Sequence, residues 1–137
     1  MRVLVDTNVF LDIFLNRDNG ESKKFFWWCS LNKCEICLAA ISLRDIEYVA
    51  HHILHNKEES KKIQKAAYLA CKNIIGISSE AAIRSLDSPI GDYEDALILE
   101  AAKEGKCDAI VTNNYKDFEK AGFPVYAPKD IVHLVEL

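Results

Sequence analysis

Short, continuous apolar runs alternate along this chain with longer segments whose apolar residues recur every three or four positions. Runs of this kind suit strands covered on both faces, whereas the three-and-four spacing is that of a helix with one buried side. Strands are expected at Val3–Val5, Glu35–Ala39, Ile74–Ile77, Ala109–Val111 and Pro124–Tyr126. Helices are expected over Asn8–Asn16, Glu21–Asn32, Leu43–His55 and Lys57–Asn73. Further helices are expected from Ser78 to Leu86, from Asp92 to Gly105, as a short piece after the turn at Asn113–Phe118 and stopped by Gly122, and from Pro128 onward with Ile131, Val132, Leu134 and Val135 as its apolar residues. Thr7 and Ser42 stand where the first and third helices would take a capping oxygen. Strands alternating with helices predict a three-layer α/β/α sandwich with a mostly parallel central sheet and right-handed crossovers, in one domain over residues 1–137. One segment does not fit a single buried face. Phe25-Phe26-Trp27-Trp28 sweeps about 300° of a helix, so part of it is expected at a partly covered edge or a protein-binding surface.

Composition narrows the class. Half of the residues are apolar and 28% are charged, an ordinary water-soluble balance. No charge-free run exceeds nine residues, well short of the ~18 that suggest a membrane span. The first residues carry no secretory pattern, and five scattered cysteines, an odd number, suit reduced thiols in a cytoplasmic protein. A formal charge of −4 argues against general coating of DNA, so any nucleic-acid contact must use a local basic patch. Arg17, Arg44 and Lys116 are the candidates for RNA contacts, with Lys23, Lys24 and Arg84 as further members of such a rim.

The chemistry gathers at the ends of the strands. Asp6 ends the first apolar run, at the sheet edge where open α/β folds bind ligands. A carboxylate beside apolar packing needs compensation. Asp45 follows the second strand, Asp92 and Asp95 open a helix, and Asn114 follows the fourth strand. Asp92 and Asp95 lie about 60° apart around their helix and share a face; Glu94, about 200° from Asp92, points elsewhere. Asp45 is nearer the strand end than Glu47, which is the fallback. Each acid alone reads most simply as a helix cap or a solvated charge. Several on one edge repel strongly, and either share protons or hold a divalent cation. Ligands that are all oxygen favour Mg²⁺ or Mn²⁺, and such an ion beside a phosphate leads to phosphodiester hydrolysis.

Four stretches, in order, carry a resemblance. Val3-Leu4-Val5-Asp6-Thr7-Asn8-Val9 resembles the opening motif of PIN domains, the small metal-dependent ribonucleases that include VapC-type toxins. Ser42-Leu43-Arg44-Asp45-Ile46 is similar to their second motif and Asp95-Ala96-Leu97-Ile98 to their third. Val111-Thr112-Asn113-Asn114, followed by Asp117-Phe118, is similar to the fourth. The resemblance implies RNA cleavage by a metal-bound water, with Asp6, Asp45 and Asp95 around the ion. Thr7, Asn8 and Thr112 would then hold the carboxylates in place. Asp45 replaces the usual Glu, and Asn114 the usual Asp; Asp92 could restore the missing charge from one turn away. The candidate catalytic acids are therefore Asp6, Asp95, Asp92 and Asp45, and the candidate metal ligands Asp6, Asp95, Asp92 and Asn114. The expected partners are an RNA substrate, a small antitoxin protein and a second copy of the chain.

Other patterns compete. Cys34 and Cys37 with His51 and His55 match a two-Cys, two-His zinc spacing, but an extended strand would hold the two thiols too far apart for one ion. A phosphoaccepting Asp6 lacks both an Asp two residues on and a late strand-end Lys. A PIN-fold module that binds RNA or a partner without cutting is the alternative to the ribonuclease.

Overall fold

The computed structural model describes residues 1–134; Val135, expected in the last helix, lies outside the described residues. Five strands form the sheet: β1 (Arg2–Val5), β2 (Glu35–Ala39), β3 (Asn73–Ile75), β4 (Ala109–Val111) and β5 (Val125–Tyr126). Every pairing is parallel and the order is β3-β2-β1-β4-β5. β1 is central, with Leu4 level with Cys37 on one side and Ile110 on the other. Val3, Leu4 and Val5 are fully buried, as expected for a strand covered on both faces.

The helices are α1 (Thr7–Phe14), α2 (Glu21–Leu31), α3 (Ala40–Leu54), α4 (Lys57–Cys71), α5 (Ser79–Arg84), α6 (Tyr93–Glu104) and α7 (Pro128–Leu134). Two 3₁₀ segments, Ser85–Asp87 and Tyr115–Ala121, complete the described elements. One core joins Val3 and Val5 to Val9, Phe10, Phe25, Ile46, Ala67 and Ile131, from α1 to α4 and α7. The other joins Leu4 and Ile110 to Ile98, Leu99, Ala101, Ala102 and Phe118, from α6 and the second 3₁₀ segment. These are the three layers that the alternating pattern predicts.

Several local expectations shift, each for a tertiary reason. The cap of α1 is Asp6, whose carboxylate accepts the Thr7 N–H, while the Thr7 hydroxyl donates to Ser42 Oγ at 2.8 Å. β2 runs straight into α3, so that helix starts at Ala40 and the buried Ser42 lies inside it. Asp45 thus sits beyond the first turn, out of reach of the dipole role that position would give it. β3 begins at Asn73 and ends at Ile75, because the ladder with β2 reaches only Ala39. Ile53, expected inside, is exposed. In the aromatic run Phe25 is buried and Trp27 is 68% exposed, which leaves the partly covered edge that four consecutive rings require. Cys34 lies with Cys29 by the first core, whereas Cys37 faces Cys107 in the second, so the sheet separates the two thiols of the zinc-like spacing.

Gly105 ends α6 as expected, but through close approach and not through a left-handed backbone; its φ is −77°, and Lys106 takes the positive φ. A Cβ at Gly105 would overlap Ile75 Cδ1 and crowd the Ala101 carbonyl oxygen at 3.1 Å. Gly105→Ala is expected to lower stability by about 1–3 kcal/mol through overpacking. In urea denaturation, Ile75→Val should cost less in the Gly105→Ala background than in the wild type, because it removes the clashing carbon.

Candidate active site

The order of the sheet places the site. From β1 the chain crosses to β2 on one side and later returns to β4 on the other, so the strand order reverses between β1 and β4. Ligands of open α/β folds bind at that crevice, beyond the carboxyl ends of the strands. Asp6 and Thr112 lie there, one residue past β1 and β4, and the Asp6 N–H donates to the carbonyl of Val111, the last residue of β4, at 2.9 Å.

Asp6 is only 6% exposed, and each of its carboxylate oxygens is held. Oδ1 accepts the Thr7 backbone N–H at 2.8 Å and Oδ2 accepts the Thr112 hydroxyl at 2.8 Å. Thr112 Oγ1 in turn accepts the Asn114 backbone N–H at 3.0 Å, so the loop after β4 is tied to the same carboxylate. Burial raises the pKa of Asp6; the bonds from Thr112 and Thr7 pull it down, and the charges of Asp117 and Asp45 push it up.

A cleft of about 190 Å³ opens over Asp6. Thr7, Asn8, Asp45, Glu94, Asp95 and Asn114 line it together with the apolar Leu11, Val49 and Ile98. Burial and the charges of Asp6, Asp92, Asp117 and Glu94 raise the Asp95 pKa to about 7. Asp45 is largely covered and pairs with Arg44 Nη1 at 3.1 Å. The cleft thus gathers Asp6, Thr7, Asn8, Asp45, Asp95 and Asn114, with Thr112 fully buried behind Asp6.

Asp92 is placed differently. Its carboxylate caps α6 by accepting the Asp95 N–H at 3.1 Å, and it lines a neighbouring hollow of about 390 Å³ with Asp95, Lys116, Asp117 and Lys120. Asp95 is common to both cavities. Arg17 pairs with Asp12 at 3.1 Å, and Asp12 also accepts a bond from the Asn113 amide, beside Asn114.

Two acids near the site were not among the sequence candidates. Glu94 lines the cleft, although the expectation turned it away; it is only about 100° from Asp95 around the helix, and the cleft faces Asp95 more than Asp92. Asp117 adds negative charge at both Asp6 and Asp95. Its signal was present in the fourth motif, where the buried Phe118 anchors the segment that carries it.

The donors around the cleft are all oxygens: carboxylates of Asp6, Asp45, Glu94 and Asp95, and the amides of Asn8 and Asn114. Asn8 Oδ1 is buried without a hydrogen-bond partner, an acceptor that a cation would satisfy. Among the described residues no three His, Cys, Asp or Glu side chains form a ready-made metal group. That is compatible with Mg²⁺ chemistry, since this ion usually binds through one or two carboxylates and keeps several waters. The donor set fits Mg²⁺ or Mn²⁺ better than a softer metal.

Comparison with known proteins agrees with the fold. The PIN domain family model matches residues 2–116, and the chain belongs to this family. A chain of a toxin–antitoxin complex from Klebsiella pneumoniae is similar at 26% identity and a TM-score of 0.65, over 92% of this chain and 97% of that one. VapBC2 from Rickettsia felis, bound to a DNA fragment from its promoter, matches at 18% identity and a TM-score of 0.71 over the same shares, 92% and 97%. FitAcB from Neisseria gonorrhoeae matches at 18% identity and a TM-score of 0.69, again over 92% and 97%. At 18% identity these last two likenesses establish the fold alone. No curated protein matches the chain in sequence. Among the described residues no helix is long and apolar enough to cross a membrane.

Two outcomes follow from the electrostatics. An aspartate in an unfolded chain ionises near pH 4, while Asp95 in the folded protein keeps its proton to about pH 7. The folded state therefore binds more protons in that window, and stability falls as pH rises through it. In metal-free protein, Asp95→Asn is expected to melt a few degrees above wild type at pH 8, the effect of on the order of 1 kcal/mol after solvent screening. The difference should vanish towards pH 4; scanning calorimetry across pH reads it. Thr112→Val removes the hydroxyl that stabilises ionised Asp6, so the Asp6 carboxyl is expected to titrate higher than in wild type by carbon-13 NMR. The same change should cost about 1–3 kcal/mol where Asp6 is charged, since a buried acceptor loses its donor.

Proposed function

We propose that this chain is a Mg²⁺- or Mn²⁺-dependent endoribonuclease and the toxin of a toxin–antitoxin pair. The observation that carries the reading is the buried Asp6 carboxylate, held on both oxygens and facing Asp95 across an acid-lined cleft. Membership of the PIN domain family supports the nuclease class. Likeness to a chain of a toxin–antitoxin complex supports the toxin form, and with it a small antitoxin as partner.

In this reading Asp6 and Asp95 hold the ion, with Asp45 and Asn114 joining directly or through waters and Asp92 contributing charge from the helix cap. The bound ion would polarise the scissile phosphate and supply a hydroxide equivalent at neutral pH. Thr112 and the Thr7 amide keep the Asp6 oxygens aimed into the cleft. Thr7 is itself fixed by Ser42, which couples the first motif to the start of α3. Asp95, which keeps its proton to about pH 7 without a cation, is a group whose charged form an approaching cation would favour. Lys116 and Lys120 line the adjoining hollow and Arg44 pairs with Asp45 of the cleft; with Arg17 they would meet the phosphates of a bound strand. The protein would act in the cytoplasm and pair with a second copy of itself.

The neutral amide of Asn114 keeps a second reading in view, a PIN-fold module that binds RNA or a partner without cutting. Calorimetric titration with Mn²⁺, paired with an RNA cleavage assay, separates the two. Wild type is expected to bind Mn²⁺ and to cut RNA only when the ion is present. Asp6→Asn should lose measurable ion binding and at least about 100-fold in cleavage rate. Equal ion binding by both proteins would sink the site, and ion binding with no cleavage of RNA would favour the non-cutting module.

A further inference from the structure

The outer side of α3 carries a ladder of rings that begins at the cleft. Asp45 and Val49 of this helix line the cleft. Beside them Arg44, Tyr48, His52 and His55 follow at spacings of four, four and three, which puts them on one stripe. The Arg44 guanidinium lies 5.3 Å from the centre of the Tyr48 ring. The Tyr48 and His52 rings are parallel to within 14°, with centroids 6.5 Å apart. His55 continues the row, its ring 6.5 Å from that of His52 and tilted by 48°. Tyr48 is 60% exposed, and both histidines are exposed as well. The row spans about 16 Å of helix from the cleft outward.

We propose that this ladder is the track on which single-stranded RNA enters the site, with bases stacking on Tyr48 and His52 and Arg44 holding a phosphate next to the cleft. The proposal rests on the ribonuclease reading above and narrows its substrate class. Aromatic and imidazole faces stack on any unpaired base, and an arginine at the end of such a row supplies the phosphate contact. A duplex hides its base faces and cannot use the ladder. The composition of the stripe favours RNA over a protein partner. Each ring bears a polar edge, and the exposed aliphatic residues of the same helix, Ile53 and Leu54, lie about 80° or more around the axis from it. Arg44 makes one bond to Asp45 and its side chain is 70% exposed, so most of its donors face solvent.

The test is fluorescence anisotropy with a fluorescein-labelled, mixed-sequence RNA, as a single strand and annealed to its complement, with Ca²⁺ in place of Mn²⁺ to hold back cleavage. Wild type is expected to prefer the single strand. Tyr48→Ala combined with His52→Ala should weaken single-strand binding about tenfold and leave duplex binding unchanged. Tyr48→Phe, which keeps the ring, should retain the affinity, and Tyr68→Ala, an exposed tyrosine on α4, should match wild type. If the double variant binds like wild type while wild type still cuts RNA with Mn²⁺, the track is overturned and the ribonuclease reading stands. If wild type neither binds nor cuts RNA, both are overturned. If the double variant halves the molar mass by light scattering while RNA affinity per chain holds, the stripe serves a second copy of the chain and the track is overturned.

Discussion

The hydrogen bond from Thr112 to Asp6 is the interaction on which the site depends. Asp6 stands at the end of the innermost strand, where neighbours on both faces exclude water. A carboxylate there is tolerated only with donors in place, and the structure supplies one to each oxygen. The donors come from both sides of the reversal in strand order: Thr7 opens the helix after β1, and Thr112 leaves β4. Parallel pairing brings these two exits together, although about a hundred residues of chain separate them. The same bond chain reaches Asn114 through its backbone N–H, so the loop that closes one side of the cleft is positioned by the carboxylate it surrounds.

Around that fixed point the acids are held against their electrostatic preference. Asp117 and Asp45 bring negative charge towards Asp6, and burial, with the charges of Asp6, Asp92, Asp117 and Glu94, keeps the proton on Asp95 to about pH 7. A fold selected for stability alone would separate these groups. Their collection in one cleft, with the unsatisfied Asn8 oxygen among them, is a local conflict of the kind that functional sites retain. Arg44 relieves part of the strain at Asp45, and its guanidinium also begins the ring ladder of α3.

Much of this architecture was legible in the residues. Val3–Val5 and Ala109–Val111 are short and wholly apolar, as buried strands are, and Asp6 stands out as the acid that ends the first, and only in company with the other acids of the same edge. The misplacements of Thr7, Ser42 and Asp92 share one cause, which is that side-chain oxygens choose partners by proximity in space. Thr7 and Ser42 both look like helix caps; folded, they bond to each other across 35 positions, and Asp6 takes over the capping of α1. Asp92 resembles a member of the acidic cluster by helical spacing, yet its carboxylate is engaged in capping α6. Glu94, set aside on the same wheel, lines the cleft because α6 turns the Asp95 side inward.

The sequence by itself determined the layers, the parallel sheet and the acid at the end of β1, because hydrophobic period and strand length depend only on near neighbours. Only the tertiary structure decided which acids face that carboxylate, which hydroxyl holds it and which rings line the way to it. Those outcomes depend on the rotation of α6 and α3 about their axes and on the order of the strands. Both are set by how two cores pack against opposite faces of one sheet, and a short stretch of chain carries no record of that packing.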